Sequence, residues 1–255
     1  MDKANRSGLV DRADRIQAPR ILLLILAATG VGAAFLASAL LLAGCSGSVA
    51  AALRADGGAR VSISAEIPSA LAAKFRKLSQ AGSGEAIRDD APLFDAEAIR
   101  KSAAERPSIR LYSISRTSPE SIKAEFDVLS LEELAAAKEL AGSGFLKVSK
   151  GAGWRELAIR LDQGSAAQAA ALFPGIDPYL MEALSPPALE EDPVTAAEYR
   201  IMLKSVLGEK AMPSMEAAAI AVTLSAPGNV IDSAGGVLSG RVLTAKIPII
   251  DALVL

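Results

Sequence analysis

The chain carries one thiol, Cys45, and no histidine. A thiolate is the most reactive side-chain nucleophile, but the groups that usually work beside one are missing. Without His there is no Ser-His-Asp or Cys-His arrangement, no HExxH zinc site and no Cys/His metal site. The common pH switch is absent as well, so a general acid or base has to be Asp, Glu, Lys or Tyr. Glu190-Glu191-Asp192 offers the clustered carboxylates that Ca2+ takes, without EF-hand spacing and between Pro187 and Pro193; a solvated acidic loop fits it better. Asp89-Asp90 reads as helix capping. Gly151-Ala152-Gly153 has the small residues of a phosphate loop, but such loops precede a helix and this one precedes a strand pattern, so it reads as a turn. Trp154, the single Trp, starts that strand and reads as core or sheet edge before ligand platform. No carboxylate pair stands out for glycoside chemistry. The residue types point away from an enzyme and imply no cofactor and no metal.

What Cys45 can react with is set by what precedes it. Ile21–Gly44 is 24 uncharged, mostly apolar residues. The flank Met1–Arg20 carries Lys3, Arg6, Arg12, Arg15 and Arg20 against Asp2, Asp11 and Asp14, an excess of positive charge that keeps this end in the cytoplasm. Basic n-region, apolar h-region and small residues before a cut define a secretory signal. Leu42-Ala43-Gly44-Cys45 resembles the lipobox of bacterial lipoproteins. That resemblance implies a diacylglyceryl group on the Cys45 thiol, cleavage between Gly44 and Cys45, and frequent acylation of the freed amine. Two or three chains at about 0.8 kcal/mol per buried CH2 hold firmly where a single myristoyl is marginal. Two other readings stay open. The same segment is long enough to span ~30 Å of hydrocarbon uncleaved, as a single-pass membrane protein, and Cys45 could be a buried thiol. In each case the apolar segment is expected as one long helix, weakened locally by Gly30 and Gly32.

The expected division is a signal peptide over 1–44 (n-region 1–20, h-region 21–44) and one lipid-anchored domain over 45–255. Of the 27 basic and 29 acidic residues, five and three precede Cys45, which leaves −4. That is no footprint for nucleic acid. With a single Cys there is no intrachain disulfide, and ~200 residues can build a sufficient core.

The positioning elements follow from periodicity. Val49, Ala51, Leu53 and then Val61, Ile63, Ala65, Ile67 alternate across Asp56-Gly57-Gly58, which reads as a hairpin. The anchor therefore sits on the first strand with almost no linker. Pro68 opens a helix that ends at Ala81-Gly82-Ser83-Gly84, and Asp95 caps a second to about Glu105, with Phe94 and Ile99 as a staple. Ser108–Arg116 and Ser121–Leu129 are strands. Ser130 and Glu133 form a capping box for a helix to Leu140, and Phe145–Leu161 is another hairpin. Ser165 caps Ala166–Phe173, and Asp177 and Pro178 open Tyr179–Leu184. Thr195–Ala211 is the strongest helix, with Tyr199, Met202, Leu203, Val206 and Leu207 on one face. Ala217–Ser225, Val230–Ser233 and Val237–Lys246 close the chain as strands, and the apolar tail to Leu255 is expected to be buried or to face a membrane. Ala-Gly-Ser-Gly recurs at 81–84 and 141–144 and reads as two unrelated helix C-caps before it reads as a duplication. Hairpins dominate, so the expected fold class is α+β: a mainly antiparallel sheet with helices packed on one face, behind the N-terminal signal or anchor helix.

The two ends of the expected mature chain resemble the LppM-like domain of some bacterial lipoproteins. The residues are Cys45-Ser46-Gly47 running into a strand, the Ala55-Asp56-Gly57-Gly58 turn, and Gly240–Lys246 with Ile247-Pro248-Ile249. The resemblance implies an α+β domain at the cell envelope with affinity for lipids, and it brings no catalytic residues. The expected role is non-catalytic: binding or structural, or carriage or sensing of a hydrophobic ligand in a slot of several hundred cubic ångströms. Expected partners are the membrane, through acyl chains on Cys45, and a lipid or an envelope protein. The domain is expected to face the periplasm or the cell surface.

Overall fold

The computed structural model describes residues 20–26, 46–84, 86–138, 140–142, 144–160, 175, 177–186 and 194–254. Gly44, Cys45 and the expected helix 166–173 lie outside them, as do 187–193 with Glu190-Glu191-Asp192.

The expected first hairpin is present as β2 (Ser46–Leu53) and β3 (Ala59–Glu66). β4 (Ile109–Ser115) and β5 (Ser121–Val128) follow, and β5 alternates as read: Ile122, Ala124, Phe126 and Val128 are buried. Near the C-terminus come β8 (Ala219–Ser225), β10 (Val237–Ser239) and β11 (Val242–Pro248). These seven strands form one sheet in the order β10-β11-β8-β2-β3-β5-β4. Every pairing is antiparallel except β2 with β8. The expected single strand Val237–Lys246 is instead a hairpin, split where Gly240 takes φ +60°, a conformation that glycine adopts freely.

A smaller sheet holds β6 (Leu146–Gly151), β7 (Trp154–Arg160), β1 (Arg20–Leu26) and β9 (Asn229–Ser233) in the order β6-β7-β1-β9. β1 corrects the expectation of one long helix from Ile21. An uninterrupted apolar run suits a central strand as well as a helix, and here it pairs antiparallel with both β7 and β9.

The helices start where capping residues place them. α1 (Ser69–Ser83) follows Pro68 and ends on Gly84 at φ 72°. Asp95 accepts the Glu97 and Ala98 amides to open α2 (Ala96–Ala104). Ser130 accepts from Glu133 to open α3 (Leu131–Ala135), which stops short of Leu140. Asp177 opens α4 (Pro178–Leu184), and a full capping box between Thr195 and Glu198 opens α5 (Ala196–Leu207). Two short helices lack a sequence forecast: α6 (Met212–Glu216) and α7 (Ile249–Val254). The second Ala-Gly-Ser-Gly is no helix cap, since α3 ends several residues before it.

One face of the large sheet is polar. Ser48 and Ser64 bond across β2 and β3, and Arg60 reaches Glu125 across β3 and β5. The other face is covered. α2 packs Ile99 and Ala103 on Ile122, Ala124 and Phe126. Leu131 and Leu134 of α3, with Leu157 of the small sheet, cover Ala59 and Val128. Leu71 and Phe75 of α1 join Tyr199, Leu203 and Leu207 of α5, Met212 and Met215 of α6 and Ile250 of α7 in a third cluster. The architecture is α+β, with a mostly antiparallel sheet.

Candidate functional site

Cys45 is one peptide bond from Ser46, so the site is the end of the sheet where β2 begins. The register fixes its neighbours. Ser46 lies opposite Glu66 on β3 and opposite Ala219 on β8. Ala219 in turn faces Pro248, the last residue of β11, and Glu66 faces Ser121, the first of β5. Ser46, Glu66, Ser121, Ala219 and Pro248 thus form one row across five strands. β2 holds a central place in the sheet, which follows from its alternating small apolar residues, and nothing intervenes between Cys45 and that strand.

The row is tied to the helices by named bonds. The Ile67 amide donates to the Glu120 carbonyl at 3.1 Å, and the Ile249 amide to the Ala218 carbonyl at 3.0 Å, where β11 gives way to α7. Arg76, buried in α1, donates through Nε to the Ala91 carbonyl at 2.8 Å and through Nη2 to Glu120 Oε1 at 2.6 Å. That guanidinium holds the Glu120 carboxyl below the ordinary glutamate range. Tyr199 is buried and its hydroxyl donates to the Leu184 carbonyl; burial pushes its pKa up to about 12. Arg200 on α5 pairs with Asp251 on α7 at 3.3 Å. These groups hold elements together.

The opposite end of the sheet is charged. Arg54 donates to Asp127, to Asp56 at 3.2 Å and to the Val128 carbonyl at 3.1 Å. The Asp56 carboxyl also accepts the Gly58 amide at 2.9 Å, and that bond, followed by Arg54, lowers its pKa. Lys150 and Arg155 approach Glu132 at 3.0 and 3.8 Å.

The remaining sequence candidates resolve locally. Asp90 is gripped by Arg88 through two bonds of 2.9 and 2.6 Å and caps no helix. Gly151-Ala152-Gly153 is the β6–β7 turn with Gly153 at φ 80°. The Trp154 indole lies against the Gly151 backbone, closer than any Cβ there would permit. Among the described residues no three His, Cys, Asp or Glu side chains converge on a metal-sized site. A pocket of about 90 Å3 lies between α2, α3 and the sheet, lined by Val61, Ile99, Ala103, Arg106, Ile109, Phe126, Val128 and Leu134. That is below the ~300–1,000 Å3 of a small-molecule site. It is smaller than the slot expected of a lipid carrier. No helix among the described residues is long and apolar enough to cross a membrane.

Sequence reasoning missed the Arg76–Glu120 pair, whose partners lie 44 residues apart. It also missed the meeting of β2, β8 and β11, since a parallel pairing over such a separation leaves no local signal.

The fold is α+β, and its central strand β2 begins at Ser46, the residue after Cys45. No protein family and no curated protein matches the chain. Among solved structures it is similar to the NMR structure of the folded domain of the Mycobacterium tuberculosis LppM protein, at 13% identity and a TM-score of 0.37, over 82% of this chain and 86% of that one. A superposition that loose transfers neither fold detail nor function from one chain to the other.

Proposed function

We propose that the chain is a lipid-anchored cell-envelope lipoprotein with a non-catalytic binding or structural role. Residues 1–44 are the signal peptide, the bond between Gly44 and Cys45 is cut, and Cys45 carries the acyl chains. The observation that carries this reading is the absence of any linker: the lipobox-like Leu42-Ala43-Gly44-Cys45 runs directly into β2 in the middle of the large sheet. A cut at Cys45 leaves the large sheet whole and removes β1 from the small one. The sequence has no His, and Asp90, Glu120 and Asp56 are each paired with an arginine; both fit a binding or structural role.

The test is the intact mass of the membrane-extracted protein beside a Cys45→Ala variant. The expected result is a mass lacking residues 1–44 and carrying acyl chains, with the variant unprocessed. A full-length, unlipidated mass overturns the proposal and makes the segment an uncleaved membrane anchor.

A further inference from the structure

We infer that β7 and β9 are the walls of a strand-acceptor groove, which takes an extended segment of another polypeptide with apolar residues at alternate positions. In the whole chain the groove holds β1. That strand pairs antiparallel with β7 over seven positions and with β9 over four. β7 and β9 are thus each one strand spacing from it and about 10 Å from one another. The groove itself is independent of Cys45. Its opening rests on the cut proposed between Gly44 and Cys45, which takes β1 away.

The walls are held by contacts that do not involve β1. β7 forms a hairpin with β6, its Leu157 packs on Ala59 and Val128, and Arg155 reaches the Ala55 carbonyl at 3.5 Å. β9 follows β8 through a turn in which the Ala226 amide donates to the Arg241 carbonyl at 2.8 Å. Ile159 of β7 and Val230 of β9 belong to one apolar cluster with Leu224 and Leu243 of the large sheet. These side chains are the floor of the groove. When β1 leaves, two rows of backbone N–H and C=O groups face each other across the width of one strand. An incoming strand is bonded there on both sides, whereas at an outer edge it is bonded on one. The register states what fits. Ile21, Leu23 and Ile25 of β1 lie opposite Ile159, Leu157 and Arg155, the positions of β7 turned to the large sheet, and residues 21–26 carry no charge. The occupant is therefore an apolar segment of the length of β1, antiparallel to both walls. On the other face Asp232 is exposed and Glu156 half-buried, so this is the side from which a strand enters.

The test uses the whole chain with Cys45→Ser and a site for a sequence-specific protease at 40–44, folded first and cut afterwards, so that neither acylation nor processing in the cell enters it. The probe is a fluorescein-labelled peptide of Arg20–Leu26 with lysines at both ends and Leu24→Cys. Leu24 lies opposite Glu156 and Asp232; each is replaced by Cys in turn, with Ser62→Cys on the polar face of the large sheet as control. The peptide is expected to form a disulfide at 156 and at 232 and none at 62. Amide exchange over 154–160 and 229–233 should quicken once residues 1–44 have left and slow about tenfold or more when the peptide binds. A peptide with Ile21, Leu23 and Ile25 all replaced by Asp should do neither. Disulfides no faster at 156 and 232 than at 62 overturn the site. Walls that stay protected after residues 1–44 have left show that they close on each other, and exchange that quickens throughout the large sheet shows that they depend on β1; either result overturns the groove. So does retention of residues 1–44 against excess peptide. An uncut mass of the protein from cells overturns the opening and leaves the groove standing, filled by β1.

Discussion

Replacing Glu120 by Ala removes the carboxylate that Arg76 holds at 2.6 Å, at the end of the sheet where β2 begins. The Arg76 side chain is 9% exposed and that of Glu120 22%, so the pair lies between two regimes. Exposed pairs are worth about 0–1 kcal/mol. Breaking a fully buried pair costs about 3–5 kcal/mol because a charge is stranded. Arg76 keeps its bond to the Ala91 carbonyl, and an expected loss of about 2 kcal/mol follows. In a domain of this size, at ~2–4 °C per kcal/mol, Tm falls by about 4–8 °C. Arg76→Met in the same chain recovers part of the loss, since no charge is then stranded. The pH dependence has a definite sign. Arg76 lowers the Glu120 pKa in the folded state, so the pair's contribution is complete above the ordinary glutamate value of ~4.3 and is lost as pH falls through the lower folded value. Thermal melts followed by circular dichroism in detergent, at pH 7 and at pH 3, should show a gap between wild type and Glu120→Ala that narrows on acidification. A variant as stable as wild type at pH 7, or a gap indifferent to pH, refutes the reasoning.

Tyr199 should ionise near pH 12 in an alkaline absorbance titration, and Tyr199→Phe should remove that late step and cost about 1 kcal/mol through the lost bond to Leu184. Because burial raises its folded pKa, the tyrosine's contribution is complete below ~10 and is lost as pH rises toward 12. Gly58→Ala places a Cβ 2.1 Å from an Arg54 nitrogen and 2.7 Å from the Val128 carbonyl oxygen; backbone on one side forces a shift costing about 1–3 kcal/mol, read as a lower urea midpoint at unchanged slope.

Local chemistry was legible in the sequence. Asp95, Ser130, Asp177 and Thr195 start helices because each offers an oxygen to amides that no helix turn can satisfy, and the alternation in Ser121–Val128 is preserved in its burial. Helix faces were less legible. Tyr199, Leu203 and Leu207 are buried as read, but Met202 and Val206, read on the same face, are 36% and 38% exposed. A stripe of three side chains satisfies the contact with α1, α6 and α7, and the periodicity alone did not reveal how narrow that stripe is. Val237–Lys246 looked continuous because Gly240 sits inside an otherwise strand-like run. α7 is too short to show a period. Ile21–Leu26 carried no period at all, and uniform apolarity left helix and strand equally open. The neighbours of Ser46 in the sheet were not legible, because β8 and β11 lie more than 170 residues downstream of it.

That separation bears on what the anchor proposed at Cys45 would do to the domain. A lipoprotein with a long linker samples every orientation and exposes its whole surface to partners. The attachment proposed at Cys45 would leave no such freedom, since β2 is bonded on both sides along its length, to β3 and to β8. Tilting the strand means tilting the sheet. On the proposed attachment, the surfaces open to a partner would be the polar sheet face, with Arg60 and Glu125, and the end of the sheet ~25 Å from Ser46. At that end β10 forms a sheet edge with Val237 71% and Leu238 38% exposed. The other edge, β4, is broken by a bulge at Tyr112, whose ring stacks under Arg60 at 3.7 Å. Bulges and charge are how sheets block unwanted pairing at an edge. β4 is guarded in this way, and residues 234–240 around β10 carry no charge. The unguarded edge is therefore β10, paired with β11 in the half of the sheet farther from Ser46.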